Sequence, residues 1–237
     1  MPTLLYLPQC ASTNDEIVRY LTESQPEFLG LYTLNQTNGR GQYGNIWKIN
    51  PGENLAFTIA ISAKVLPSHI GINFYTANLI RSFIAKLTDT EVHVKWPNDI
   101  IVHHKKVCGI LVDKKKISGQ EYYIIGAGIN ILQTDFQDFK KAGSLFTQTG
   151  KTYNPKDVAT DLFTLFSEKI FEEKNPNQIL DEFNAHLFRR NEVSVFQKNG
   201  IRQNGIIKYA DTDGFLWINL EKDGLQKFFN KEIEMLY

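Results

Sequence analysis

The sequence predicts an α+β protein, a mixed sheet with helices followed by a small C-terminal β-barrel. Two patterns carry this. Up to about residue 189, strand-length apolar runs and helical stripes are mixed without strict alternation, which disfavours a doubly wound sheet. From Arg190 onward, short β-prone runs are separated by Lys198-Asn199-Gly200, Asp213-Gly214 and Asp223-Gly224, hairpin signals at close spacing. The expected division is therefore a larger domain over residues 1–189 and a smaller one over 190–237. The second is too short for much core of its own and is expected to dock on the first.

The elements follow in order. Met1 to Leu7 lacks a basic leader and is interrupted by Pro8 and Gln9, so it suits a first strand rather than a signal peptide. Ser12-Thr13-Asn14-Asp15 reads as a helix start with Ser12 as N-cap and Asp15 at the third position. Ile17, Val18 and Leu21 give that helix its apolar stripe, and Pro26 marks its end. Gly30–Leu34 is a strand leading into a glycine-rich segment, and Leu55–Ile61 is the strand leaving it. Pro67-Ser68 opens a second helix whose Ile72, Leu79, Ile80, Phe83, Ile84 and Leu87 fall largely on one face. Strands follow at Val92–Val94, Ile100–Val102, Val107–Val112 and Tyr122–Ala127, with a turn from His103 to Lys106. Lys114-Lys115-Lys116 before Ser118-Gly119 reads as a charged hairpin tip. Gln133 to Asn154 is polar and loop-like. Two helical patterns come next, one using Val158, Leu162, Leu165, Phe166 and Ile170, the other Ile179, Leu180, Phe183 and Leu187. The tail supplies strands at Val193–Val195, Gly205–Tyr209, Phe215–Leu220 and Gln226–Phe229.

Composition narrows the function classes. With 26 basic and 26 acidic residues the formal charge is zero, so no global attraction to nucleic acid or an anionic membrane is expected. No apolar run approaches the roughly 18 residues of a membrane span, and the cytoplasm is the expected location. Cys10 and Cys108 form no C-x-x-C pattern and read as reduced, buried thiols. His103-His104 has no spaced ligand set beside it, so no protein metal site is expected.

Chemistry concentrates in two segments. Gly39-Arg40-Gly41-Gln42-Tyr43-Gly44 sets an arginine among glycines, so backbone N–H groups and a guanidinium approach anionic oxygens without Cβ obstruction. The same residues satisfy the dinucleotide-binding glycine template. That reading fails for want of a helix at the glycines and an acidic residue about 20 positions on. The second segment is Lys95-Trp96-Pro97-Asn98-Asp99, with Lys106 and Gly109-Ile110-Leu111-Val112 beyond a turn. A cation, an amide and a carboxylate this close, with a second lysine nearby, suit an enzyme that adenylates a carboxylate.

These motifs, with Ser12-Thr13-Asn14 and Gly126-Ala127-Gly128-Ile129-Asn130, closely resemble those of the biotin protein ligase family, in the same order and over nearly the whole chain. The resemblance implies a class II synthetase-like fold with an SH3-like C-terminal barrel, and a two-step acyl transfer. Biotin and ATP give biotinyl-5′-adenylate, and a lysine of a biotin carboxyl carrier domain, in acetyl-CoA carboxylase or a related carboxylase, takes the acyl group. By resemblance Ser12, Thr13 and Gln36 meet the ureido ring, for which short, orientable donors and acceptors are suited. Gly39, Arg40 and Gly41 would hold the biotin carboxylate and adenylate phosphate. Gly109 follows Lys106 in the biotin-binding set. Lys106 would bring positive charge between the two reacting anions, with Lys95 toward the phosphates. Asn98 and Asp99 would fix their loop, and Asp99 would accept a hydrogen bond from the incoming lysine. Trp47 and Asn130 would contact adenine by stacking and amide hydrogen bonding. Mg2+ would accompany ATP on phosphate oxygens with few protein ligands.

Two departures stand out. Where many members carry a second arginine, this chain has Gln42, which implies weaker adenylate retention. Where a basic residue is often seen near the end, it has Glu234-Met235-Leu236. The tail is expected to help place the carrier and close over ATP. The rivals are a lipoate-type ligase or acyltransferase and a biotin-responsive regulator; the latter is disfavoured because no helix-turn-helix precedes the motifs and there is no basic excess. No contact with DNA or a membrane is expected, and an exposed sheet edge would suit a homodimer.

Overall fold

The structure, a computed structural model, describes residues 2–66, 71–137 and 139–237. In chain order it runs β1 (Thr3–Leu7), α1 (Thr13–Ser24), β2 (Phe28–Thr33), β3 (Gly39–Arg40), a 3-10 turn (Gln42–Gly44), β4 (Ile46–Trp47) and β5 (Asn54–Ser62). Next come α2 (Ile72–Thr88), β6 (Val92–Lys95), β7 (Asp99–Val102), β8 (Lys105–Ile117), β9 (Gln120–Asn130), α3 (Leu145–Thr149), α4 (Pro155–Lys169) and α5 (Pro176–Ala185). The tail holds β10 (Val193–Lys198), β11 (Ile201–Ala210), β12 (Leu216–Leu220), β13 (Gly224–Phe228) and β14 (Glu234–Leu236).

Strand β5 is buried along its whole length and sits inside a seven-stranded sheet ordered β1-β2-β5-β9-β8-β7-β6. Among the described residues of this sheet only strands β1 and β2 pair in parallel, so it is mixed, as the α+β reading requires. Alternation along the strands assigns the two faces. Phe57, Ile59 and Ile61 join the large core with α2, α4 and α5, while Ala60 packs with Ile17 and Leu21 of α1 on the opposite face. Full burial of a leucine or isoleucine such as these contributes about 1.5–3 kcal/mol, which fixes α1 to the sheet.

Helix starts follow local chemistry. Asn154 and Asn175 accept hydrogen bonds from Lys156 N and Asn177 N, each ahead of a proline at the first helical position. Ser12 occupies the N-cap of α1, but its side chain makes no cap hydrogen bond, contrary to the capping reading. Ser144 and Thr147 form a capping box on α3, a five-residue helix inside the stretch expected to be loop. Lys114, Lys115 and Lys116 lie on β8 rather than at the hairpin tip, which is Ser118-Gly119 with φ 47° and 85°. The expected helix start at Pro67-Ser68 lies outside the described residues. Helix α2 begins at Ile72.

The tail forms a five-stranded antiparallel sheet, β13-β12-β11-β10-β14, whose last strand had no sequence signal. Among the described residues its outer strands are not paired with each other. Phe196, Ile207, Leu216 and Met235 belong to the same core cluster as the main sheet. Asn184 of α5 clamps it from both ends of its amide, donating to Ala210 O (2.9 Å) and accepting from Ala210 N (2.7 Å). Arg190 Nε adds a bond to Lys208 O.

Residues 186–188 cover the β6 edge, with Val94 N donating to His186 O and Phe188 N to Val94 O. Burial and the charge of Arg81 on α2 hold His186 below the usual imidazole range, with Glu182, His93 and Glu91 as the other charged neighbours. The unfolded chain therefore binds a proton that the folded chain resists. Stability is full above pH ~6.5 and falls as pH drops through the lower folded pKa. We expect the loss of melting temperature between pH 7 and 5 to shrink in His186→Gln; an unchanged loss contradicts this origin.

Candidate active site

One region of the sheet is bare of large side chains. Ala56, Gly128 and Gly109 lie side by side on β5, β9 and β8, and Thr58, Gly126 and Leu111 form the next row. These residues share the α1 face and, apart from Thr58, line a cavity of about 500 Å³. Trp47 rests on this floor: a Cβ on Gly128 would collide with its Cε2 and Nε1, and one on Gly109 would come 3.0 Å from Cζ3. Its Nε1 is buried without a hydrogen-bond partner.

Charge enters from β7 and β8, and a register shift decides how. Asp99 pairs with Gly109 and Ile100 with Cys108, but Ile101 pairs with Lys106, so Val107 is an extra residue in β8. Without that bulge, alternation would send Lys106 to the face of Cys108 and Ile100, away from Asp99. With it, Lys106 Nζ lies 2.6 Å from Asp99 Oδ1, and Lys95 Nζ 3.9 Å from Oδ2. Lys106 Nζ also sits 5.5 Å over the Trp47 ring. Burial, reinforced by the charges of Lys106 and Lys141, lowers the Lys95 pKa despite Asp99 and Glu234. Asn98 fixes the turn before β7, donating from Nδ2 to Ile110 O (2.6 Å) and accepting from Ile110 N (3.0 Å) at its backbone O. Cys108, on the other face, is fully buried, and burial raises its thiol pKa.

The opposite end of the cavity is polar and neutral. Gln36 Oε1 accepts from Thr13 N (2.8 Å) and Thr13 Oγ1 (3.2 Å). Thr58 Oγ1 lies 2.8 Å from Thr13 Oγ1 and 2.6 Å from Asn14 Oδ1, and Asn14 Nδ2 is buried without a partner. Asn14 lines the cavity, so its Nδ2 is a vacant donor on the cavity wall, one that a ligand acceptor satisfies. Ser12, free of capping duty, lines the wall beside it.

The β3–β4 ribbon covers the cavity. Gly39 is needed because a Cβ there would meet Trp47 O and Gln36 Nε2. Arg40 reaches outward to Asp15 at the start of α1 (2.5 Å), with Lys115 3.8 Å from the same oxygen. Gln42 Oε1 accepts from Asn230 Nδ2 (3.0 Å), joining the ribbon to the tail sheet across 188 residues of sequence. Trp96 Nε1, donating to Gly214 O at 3.2 Å, makes a second such link.

A glycine-arginine ribbon, a lysine-carboxylate cluster and a bare sheet floor enclosing one cavity invite comparison with known proteins. The sequence profile of the "Biotin/lipoate A/B protein ligase family" matches residues 7–130. The chain belongs to this biotin/lipoate ligase family. It is 32% identical over 232 residues to the "Bifunctional ligase/repressor BirA" of Escherichia coli, covering 93% of this chain and 70% of that protein. It is 26% identical over 171 residues to the Bacillus subtilis protein of the same name, covering 70% of this chain but 48% of that one. In fold it is similar to a solved structure of the biotin protein ligase from Aquifex aeolicus in complex with biotin and ATP. That likeness has a TM-score of 0.78 at 23% identity and covers 99% of this chain and 98% of the other.

Of the residues expected from the family motifs, Ser12, Thr13, Gln36, Arg40, Gly41 and Trp47 line the cavity from one side. Lys95, Asn98, Asp99, Lys106 and Gly109 line it from the other. Gly39 and Asn130 stand back from it; the Asn130 amide donates to Gly143 O at 2.9 Å. Sequence reasoning missed Thr58, the one threonine in an otherwise apolar strand, and the unpaired atom of Asn14, which lay inside a motif already recognised. Among the described residues no cluster of His, Cys, Asp or Glu suits a metal, and no helix is long and apolar enough to cross a membrane.

Proposed function

We propose that this chain is a biotin protein ligase, with residues 1–189 as its catalytic domain and 190–237 as an SH3-like domain that helps close the site. One observation carries the reading: a single cavity has cations at one end and a neutral chain with a vacant donor, Asn14 Nδ2, at the other. Biotin has that polarity, a carboxylate at one end and a neutral ureido ring with a carbonyl acceptor and N–H groups at the other. The ring's carbonyl oxygen fits Asn14 Nδ2, its N–H groups fit the Ser12–Thr13–Gln36 wall, and its carboxylate extends toward Arg40 and Lys106.

A carboxylate oxygen then attacks the α-phosphorus of ATP, the bond to the bridging oxygen breaks, and pyrophosphate leaves with its electron pair. Two anions must meet, so Lys106 and Lys95 lower the barrier by neutralising both. In the second step a carrier lysine amine attacks the acyl carbon and AMP departs. Asp99, whose carboxylate oxygens keep lone pairs beyond their lysine contacts, accepts a hydrogen bond from that amine. Magnesium carried on the nucleotide would supply further neutralisation of phosphate charge. A donor set with Asp99 already engaged by two lysines fits an ion held mainly through phosphate oxygens. Cys108 is on the wrong face and hard to ionise, which argues against a cysteine acyltransferase.

Mixing the protein with ATP, Mg2+, biotin and a carrier domain should add one biotinyl mass to the carrier's target lysine. No mass shift, with adenylate nevertheless formed, would restrict the chain to the first step. The Arg40–Asp15 pair supplies a second check. Both side chains are about half exposed, and such pairs contribute roughly 0.2–1 kcal/mol. Freeing Arg40 in Asp15→Asn should tighten biotin by up to about five-fold in a binding titration; weaker binding contradicts the outward pose as a competing one.

A further inference from the structure

A basic side chain outside every recognised motif lies beside the charged end of the site. The segment before α3 is stitched to the strand that carries Lys106: Lys106 N donates to Lys141 O (2.8 Å), Gly143 N to Lys106 O (3.0 Å), and Lys105 Nζ to Lys140 O (2.5 Å). This brings Lys141 Nζ to 4.5 Å from the centre of the Tyr237 ring, while Lys95 Nζ lies 5.7 Å from the same centre. Phe188 backs that ring edge-on at 5.2 Å. Lys106, Lys95 and Lys141 thus lie around Asp99 and Tyr237, with Asp99 and Glu234 as their carboxylate partners.

The two carboxylates are held very differently. Asp99 is shielded and close to Lys106, whereas Glu234 is 3.8 Å from Lys141, with the two side chains 64% and 44% exposed respectively. An exposed pair at that distance contributes little and exchanges readily for a stronger anion. A phosphate, with several acceptor oxygens and more charge, is such an anion. Resting on the proposed adenylation, we propose that Lys141 binds the β- and γ-phosphates of ATP and the departing pyrophosphate, with Glu234 and Tyr237 holding it in place beforehand. The lowered Lys95 pKa, to which burial and then the Lys106 and Lys141 charges contribute, is consistent with positive potential left to be neutralised there. Where many family members carry a basic residue near the C-terminal end, this chain has Glu234, and the cation comes from the catalytic side instead.

The test is calorimetric titration of the full chain with inorganic pyrophosphate, alongside KM values for ATP and biotin, in wild type, Lys141→Gln and Lys141→Arg. Loss of one charged hydrogen-bond donor predicts about ten-fold weaker pyrophosphate binding and a similar rise in KM for ATP in Lys141→Gln. KM for biotin should be unchanged, the arginine variant should recover most of the loss, and the difference should shrink in high salt. Unchanged pyrophosphate affinity, or equal rises in both KM values, overturns the assignment. If wild type binds pyrophosphate through Lys141 yet performs no biotin-dependent adenylation, the subsite stands and the proposed function fails.

Discussion

Lys106→Ala should slow adenylate formation by roughly 30- to 5,000-fold. The estimate is the 2–5 kcal/mol cost of removing one member of a shielded, hydrogen-bonded charge pair, expressed as a rate. The structure gives the loss two parts. Asp99 is left with Lys95 at 3.9 Å as its remaining cation, and the Trp47 ring loses the ammonium 5.5 Å from its centre. Negative charge then faces the two anions that must react. Lys105 is the control: its ammonium is tied to Lys140 O, away from Asp99, so Lys105→Ala should stay within about two-fold. A folded Lys106→Ala protein that forms adenylate at near wild-type rate contradicts the assignment. Burst measurements of AMP-linked product separate this step from transfer.

Gly128→Ala is the second large change expected. The added methyl collides with Trp47 Cε2 and Nε1, which are ring atoms rather than a flexible chain end, so the indole must leave the floor. Overpacking of this kind costs about 1–3 kcal/mol of stability. If Trp47 is the platform for adenine, as the family motif implies, its loss costs about 1–3 kcal/mol of binding, or roughly 5- to 150-fold in KM for ATP. Trp47→Ala should reproduce the binding loss without the collision, which separates the two effects. Equal KM for ATP in all three proteins would remove Trp47 from the nucleotide site.

The sequence made the main strands legible because burial on both faces writes itself as continuous apolar runs, as in Leu55–Ile61 and Tyr122–Ala127. Both long helices after Asn154 were legible from their stripes, and the family motifs named most of the cavity wall. What escaped depended on geometry that no local pattern records. The extra residue at Val107 turns Lys106 toward Asp99, whereas plain alternation predicts the opposite face. Strand β14 exists because β10 offers it an edge, and α3 is too short for a periodic signal. The Gln42 side-chain oxygen is engaged by Asn230, a partner only the folded chain brings near. Lys141 sits in a polar loop like any solvated lysine until hydrogen bonds to Lys106 place it.

Cations at one end of the cavity and neutral hydrogen-bonding groups at the other imply selection for an acid with a polar, uncharged head. ATP–pyrophosphate exchange measured in parallel with biotin, lipoate and octanoate tests that directly. Exchange dependent on biotin, and at least about a hundred-fold weaker with the other two acids, is the predicted result, since leaving a buried donor such as Asn14 Nδ2 unpaired is costly. Equal or faster exchange with lipoate or octanoate would contradict it.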